Sequence, residues 1–290
     1  MPPGLRTRRA ALGLALACSL ALSLPAVPVS ARERLIPYRG VGGWIDIYDD
    51  RAWERPVRTM AQLQRRGVRT IYLQTCHFNC DQALFRPARM AELLRAAQRR
   101  RMRVVSWYLP GFVRPKRDLQ RSLAAIRFRT RDGRRFDSFA LDVEAMDVAR
   151  VGIRNRRLVA LSQRLRTRVG LRYGMGAITP PWFFSWRPFP YRALARHYDV
   201  FLPMNYFTVR GRGPAVARVH TRRNIKLIRR QTGDPAFPIH DIGGLAEDLG
   251  GREVRAVVRT DRRHGVIGTS LYDAFTSAPS AWRQLRGRSR

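Results

Sequence analysis

The sequence predicts an α/β fold, a single (β/α)8 TIM barrel, and three observations carry that prediction. Short apolar runs of strand length alternate with amphipathic runs of helical spacing, eight times in succession. The chain has 290 residues, and removal of a leader leaves about 260, the usual span of such a barrel. Glycine and proline punctuate the runs rather than interrupt them. The rival for the same alternation is an open, doubly wound sheet.

Residues 1–31 read as a secretory signal peptide and 32–290 as the barrel domain. Arg6, Arg8 and Arg9 make a basic start, residues 10–24 are apolar, and Val29-Ser30-Ala31 is a small-residue cleavage end, the pattern of a removable leader. The protein is therefore expected to be secreted or associated with the cell wall. The apolar run is short for a membrane span, and no later run is longer. An uncleaved anchor is the alternative. Cys18 is followed by more apolar residues up to Leu24, which disfavours a lipoprotein signal.

The elements follow in order. Strand one is expected over 41–48, then a helix over 56–66 with Pro56 near its start and Gly67 past its end, the usual helix punctuation. Strand two covers 70–75, followed by a loop over 76–87 and a helix over 88–101. Strand three covers 103–109 and is stopped by Pro110-Gly111, with a helix over 116–128 behind it. Asp132-Gly133 turns the chain into strand four, which ends at Glu144. A helix over 155–168 is closed by Gly170, and strand five covers 171–178. Residues 179–190 are too rich in proline and aromatics for a regular element and read as a long binding loop. A short helix over 191–197 leads to strand six over 199–206 and a helix over 215–230. Strand seven covers 236–242, a helix 252–263, strand eight 265–272, and Trp282 lies in a short terminal helix.

Composition excludes a disordered chain: 45% apolar and 10% aromatic residues supply a large core. Net charge is +35, which falls by three to +32 when Arg6, Arg8 and Arg9 leave. Nearly all of it is arginine; Lys116 and Lys226 are the only lysines. Such a charge attracts anionic polymers. The arginines are spread along the chain and no aromatic-interleaved nucleic-acid motif occurs, so no specific nucleic-acid partner is expected. An arginine-favouring composition explains the spread equally well. Outside the cytoplasm Cys76 and Cys80 favour a disulfide. A Cys76, His77, Cys80 metal site has three ligands and no evident fourth, so no metal is expected. No phosphate-cradling glycine loop and no Gly-x-Ser-x-Gly elbow is present, and no cofactor is expected.

Strand four carries the chemistry. Side chains alternate along a strand, so Ala140, Asp142 and Glu144 share one face. Burial and like charge push a proton onto one of two such carboxyls, which suits an enzyme that needs a proton donor beside an anion. The plainer alternative is a pair that is solvated or salt-bridged past the strand end. In a barrel the site lies at the C-terminal ends of the strands. The expected mouth residues are Trp44 and Asp46, Gln74, Trp107 and Tyr108, Met204, Asn205 and Tyr206, His240 and Asp241, and Tyr272 and Asp273. Trp182 joins them from the loop of unit five. Acids and amides that bind hydroxyls, beside flat aromatics that stack on sugar faces, suit carbohydrate. Core packing is the alternative fate of Trp44, Trp107, Met204 and His240.

The stretch Asp137-Ser138-Phe139-Ala140-Leu141-Asp142-Val143-Glu144 resembles the fourth-strand signature D-G-x-D-x-D-x-E of family-eighteen, chitinase-type glycoside hydrolases. Met204-Asn205-Tyr206 resembles that family's sixth-strand Met-x-Tyr, and Gly265-Val266-Ile267 the start of its eighth strand. Leu141 to Glu144 also resembles the secreted barrel lysozymes, and the layout is similar to secreted glycosidase-like barrels of actinobacterial type. The resemblance implies Glu144 as proton donor, Asp142 as its electrostatic partner steadying a substrate acetamido group, and Tyr206 as a hydrogen bonder to that group. Ala140 stands where the family has an acid, Ser138 where it has glycine, and Tyr272 where it has tryptophan. A two-carboxylate mechanism with Asp46, Asp241 or Asp273 as the second acid is the alternative chemistry.

Three functions follow from the sequence. The first is a secreted glycosidase that cleaves a wall or matrix polysaccharide. The second is a catalytically inactive barrel that binds glycan or anionic wall polymer. The third is a polyanion binder driven by charge alone.

Overall fold

The structure is a computed structural model, and it describes residues 30–184, 186–245, 247 and 249–287. The predicted leader lies outside the described residues except for Ser30 and Ala31. Eight parallel strands form one sheet: β1 (Gly40–Ile45), β2 (Thr70–His77), β3 (Arg103–Leu109), β4 (Ser138–Asp142), β5 (Met175–Thr179), β6 (Val200–Pro203), β7 (His240–Leu245) and β8 (Gly268–Tyr272). The hydrogen-bonded order is β6-β5-β4-β3-β2-β1-β8-β7. Strands β1 and β8 pair from Gly40 against Gly268 onward, which an open sheet with β1 at a central switch point does not do. The remaining join, β6 to β7, is made by two isolated parallel bridges, Phe201 with Ile239 and Met204 with Ile242. Across it the Asn205 N–H donates to the Ile242 carbonyl at 2.9 Å. The predicted (β/α)8 barrel is therefore the observed architecture, with one thin seam.

Ten α-helices surround the sheet: α1 (Ala31–Arg34), α2 (Asp50–Glu54), α3 (Pro56–Arg65), α4 (Pro87–Arg99), α5 (Pro115–Arg127), α6 (Val151–Val169), α7 (Tyr191–Leu194), α8 (Pro214–Thr232), α9 (Gly251–Arg263) and α10 (Pro279–Arg286), all counted among the described residues. Pro56, Pro87, Pro115, Pro214 and Pro279 each start a helix, where a missing N–H costs nothing and φ is already helical. Helices α1 and α2 were not expected from periodicity, because one turn is too short to show it. The fifth unit has only the four residues of α7 between the two 19-residue helices α6 and α8.

Alternation along the strands sorts the apolar residues into an inner and an outer layer. Tyr38, Trp44, Tyr72, Val105, Trp107, Ala140, Leu202 and Met204 fill the barrel interior. Phe139, Leu141 and Val143 point the other way, into the layer beneath α5 to α8. Trp44 and Tyr72 stack with ring centroids 4.3 Å apart. That stack needs Gly42, since a Cβ there would lie 2.6 Å from the Tyr72 ring.

The segment from α1 to Tyr38 closes the N-terminal end of the barrel. Tyr38 donates its hydroxyl to the Phe139 carbonyl at 2.9 Å and shares a 2.7 Å hydrogen bond with Ser138. Ser138 donates to the Gly174 carbonyl at 2.6 Å. The serine that stands in place of glycine in the strand-four signature is thus part of the floor. Arg34 and Arg166 both grip Asp199 at 2.8 Å there.

Several strand limits differ from those expected. β7 starts at His240 rather than 236, because the chain only leaves its connecting turn at 236 and makes no sheet contact before the isolated bridge of Ile239 to Phe201. β5 starts at Met175, and Leu171 before it is 72% exposed. β1 stops at Ile45 and the chain turns at Asp46, leaving Tyr48 exposed. Each limit had been set by apolar character, which continues into turns that no longer pair.

Candidate active site

The C-terminal mouth of the barrel brings together the acids of three strands. Asp142, the last residue of β4, is buried at 6% exposure, and Glu144 lies two residues beyond it, half-buried. The inward course of Ala140 carries Asp142 to the inner face. Asp142 Oδ1 is buried without a hydrogen-bond partner among the described residues. Burial, followed by the neighbouring Glu144 charge, pushes the Asp142 carboxyl well above the usual carboxylate range. Burial raises Glu144 as well. The pair is a low-dielectric site whose burial and like charge favour a bound proton, and no cation pairs with it among the described residues.

Two tyrosines face it. Tyr206, just past β6, has its phenol pushed up by burial and then by Glu144 and Asp142. Tyr272, the last residue of β8, donates its hydroxyl to Asp46 Oδ2 at 2.6 Å. Burial and Asp46 raise its phenol most, and Tyr206 and Asp142 add to the effect. Asp46 is held in turn by the Tyr48 N–H on Oδ1 at 2.7 Å. Gln74 is fixed by accepting the Ile47 N–H at 3.1 Å. Trp107 pairs in register with Ala140, two residues before Asp142 and on the same face. Its indole N–H is buried with no partner among the described residues. Trp44 lies deeper, with its N–H given to Ser270 at 2.8 Å, and its ring is edge-on to Trp107 at 5.8 Å. Met204 fills the interior beneath Tyr206.

Five expected mouth residues lie elsewhere. Tyr108 follows Trp107 and so faces outward, where its hydroxyl donates to Asp118 of α5 at 2.8 Å. One strand cannot send both to the same face. Asn205 and Asp241 also face outward, joined at 3.2 Å in a buried layer with Thr221 and Asn224 of α8. His240 sits at the opposite end of the barrel, bonded to the Tyr38 carbonyl at 2.8 Å and to Ser270 at 2.9 Å. It was placed at the mouth because β7 was expected to end where it begins. Trp182 turns to the outer flank, giving its indole N–H to His220 of α8 at 3.1 Å. Asp273 stays at the rim, where Oδ1 caps the Phe275 and Thr276 amides.

One mouth residue escaped sequence reasoning. Asp49 accepts the Asp46 N–H at 3.0 Å. Burial, then Asp46 and Asp273, raise its carboxyl from the ordinary 3.8 to about 7. It lies in a turn four residues past the last residue of β1, and nothing in strand periodicity marks it. Among the described residues no group of three potential ligands could hold a metal ion. Cys76 and Cys80 form the expected disulfide, so the alternative use of their sulfurs as metal ligands does not arise. No described helix is long and apolar enough to cross a membrane.

No sequence family and no curated protein matches this chain. Solved structures do. A chitinase from Chromobacterium violaceum aligns at TM-score 0.61 and 12% identity, over 87% of this chain and 99% of the other. A family-18 N-acetylglucosaminidase from Paenibacillus barengoltzii aligns at TM-score 0.57 and 12% identity, over 86% and 99%. An endo-β-1,4-mannanase from Thermotoga petrophila aligns at TM-score 0.64 and 9% identity, over 87% and 76%. At such identities the likeness establishes the shared barrel fold.

Proposed function

We propose that this protein is a secreted glycoside hydrolase that cleaves a glycosidic bond in a wall or matrix polysaccharide. The observation that carries the reading is the carboxyl pair at the barrel mouth: Asp142 and Glu144 are both raised by burial, and Asp142 Oδ1 has no described partner. An unmet acceptor at the mouth, with the unmet Trp107 donor two ladder positions below it on the same face, suits a ligand rich in hydroxyls and amides.

In this reading Glu144 is the general acid. Burial raises its carboxyl, which favours the protonated form that delivers a proton to the leaving oxygen. The two raised carboxyls share a proton, and in the form with that proton on Glu144, Asp142 is the anion that steadies positive charge at the sugar ring and the group that assists there. Tyr206, which feels both charges, donates to the same group. Asp46, anchored by Tyr272, is the second carboxylate available for a two-carboxylate route. The structural neighbours are named as chitin- and mannan-cleaving enzymes, which supports polysaccharide as the substrate class. The leader-like N-terminus supports action outside the cell.

The test is product release from peptidoglycan, chitin and acidic polysaccharides, read by mass, for wild type beside Glu144→Gln. Loss of turnover by a factor of about 100 or more, the usual contribution of a positioned acid, is expected in the variant, with sugar binding kept. Wild-type turnover in Glu144→Gln sinks the assignment. One observation favours a second reading, a catalytically inactive glycan-binding barrel: Ala140, fully buried below Asp142, stands where the resembled signature has another acid. Binding without release from any polymer would decide for it.

A further inference from the structure

The outer ring of helices has a gap at the fifth unit. The four residues of α7 leave the flank between α6 and α8 to the proline- and aromatic-rich loop that follows β5. There a groove of about 970 Å³ opens, walled by Pro181, Phe184, Pro188 and Tyr191 on the loop side. Its opposite wall is α8, which presents Arg223, Lys226 and Arg230. These three are exposed, and none makes an ion pair with a described residue. Their spacing of three and four places them on one helix face, over about 10 Å at the helical rise. A second hollow of about 560 Å³ shares Phe189, Tyr191 and Gln231 with the groove and adds Arg192 and Arg196. No aspartate or glutamate lines either hollow among the described residues.

We propose that this flank is a binding track for an anionic glycan, a chain with one carboxylate or phosphate on its sugar repeat, separate from the carboxyl pair at the mouth. Three features argue for a charged sugar chain. Cations follow one another along a line, which matches a repeating charge rather than a single headgroup. The facing wall carries Pro181, Phe184 and Pro188, apolar surface that suits the C–H faces of sugar rings without requiring the arginine-covered indoles of Trp182 and Trp186. The lining lacks acids, so a polyanion meets no like charge. Single-stranded nucleic acid fits less well, because it needs open ring faces on which bases stack. Here Arg223 lies over the Trp182 ring at 4.7 Å and Arg154 over Trp186 at 4.0 Å. The net charge of the chain alone would bind anions over the whole surface; the track localises them.

The experiment compares the full chain with two triple variants. One is Arg223→Ala, Lys226→Ala, Arg230→Ala on α8. The other is a charge-matched control on the opposite side of the barrel, Arg58→Ala, Arg65→Ala, Arg99→Ala, all exposed. All six substitutions are on exposed helix surfaces, and thermal melting confirms that both variants fold. Affinities are measured at physiological salt for polygalacturonate, for a purified teichoic acid, for neutral chitin oligosaccharide and for single-stranded DNA. The α8 variant is expected to lose roughly tenfold or more in affinity for at least one anionic glycan, the sum of three exposed charge contacts. The control should lose far less, and neutral oligosaccharide should be unaffected. Whichever anionic glycan binds more tightly identifies the charge as carboxylate or phosphate. Equal losses in the two variants, no loss in either, or DNA bound more tightly than both glycans through the same three residues would overturn the proposal. Because the readout is binding on the flank, it does not depend on Glu144.

Discussion

Asp142 and Asp199 are both largely buried, at opposite ends of the same barrel, and their surroundings differ in kind. At the floor, Asp199 takes Arg34 on one oxygen and Arg166 with the Met175 N–H on the other, all within 2.9 Å. At the mouth, Asp142 Oδ1 has no described partner, and its nearest charge is another carboxyl. The floor acid is neutralised and joins α1, α6 and two strands. The mouth acid raises the free energy of the fold at a place where a ligand could lower it. Barrels separate the two tasks by end, and here the same side chain shows both.

The comparison can be broken at either end. The largest stability effect is expected at the floor: Asp199→Ala removes the carboxylate shared by two arginines, of which Arg166 is 9% exposed and keeps only neutral carbonyl partners at His197, Gly170 and Tyr173, and should cost about 3 kcal/mol, the usual penalty for halving a buried pair. Urea unfolding measures it, and a loss below 1 kcal/mol would mean that the ends do not differ as described. Next is the loss of the Cys76–Cys80 bridge. Replacing both cysteines with serine should lower stability by about 2 kcal/mol, since so short a loop restrains the unfolded chain less than a long one.

At the mouth the sign should reverse. Asp142→Asn keeps the shape and removes the ionisable group. We expect unchanged stability or a gain of about 1 kcal/mol at neutral pH, together with a large fall in any turnover. A clear loss of stability would show that Asp142 is a structural acid after all.

The smallest effect concerns pH. Folding holds the Asp49 proton up to about pH 7, whereas an unperturbed carboxyl releases it near 3.8. The folded state therefore binds more protons between these values, and stability falls as pH rises through that window. Asp142 and Glu144 act in the same direction. Asp49→Asn should flatten part of the slope of the urea midpoint between about pH 4 and 7; an unchanged slope would show that Asp49 titrates normally.

The repeating pattern was legible because strand and helix periods differ, and proline marked helix starts well. The inward course of Ala140, Asp142 and Glu144 follows from alternation alone. Tyr108, Asn205 and Asp241 were misplaced for want of applying that same rule to their neighbours Trp107, Met204 and Ile242. His240 was misplaced by a strand limit, because apolar character runs on through 236–239 without saying where pairing begins. Trp182 belongs to an irregular loop, whose direction is set by α8 and by no period. Asp49 became visible only when folding brought Asp46 and Asp273 beside it.

The thin join between β6 and β7 has a consequence for the width of the mouth. A cylinder whose every strand is laddered on both sides has a fixed circumference. Here one of the eight joins is two bridges, reinforced on the outside by the Asn205–Asp241 side-chain bond. Tyr206 leaves the sheet on one side of that join, and the Gly243-Gly244 irregularity of β7 lies on the other. Widening the rim there costs the Asn205 N–H to Ile242 bond and the Asn205–Asp241 contact, fewer bonds than any laddered join would give up, so the circumference is set most weakly on this side of the mouth.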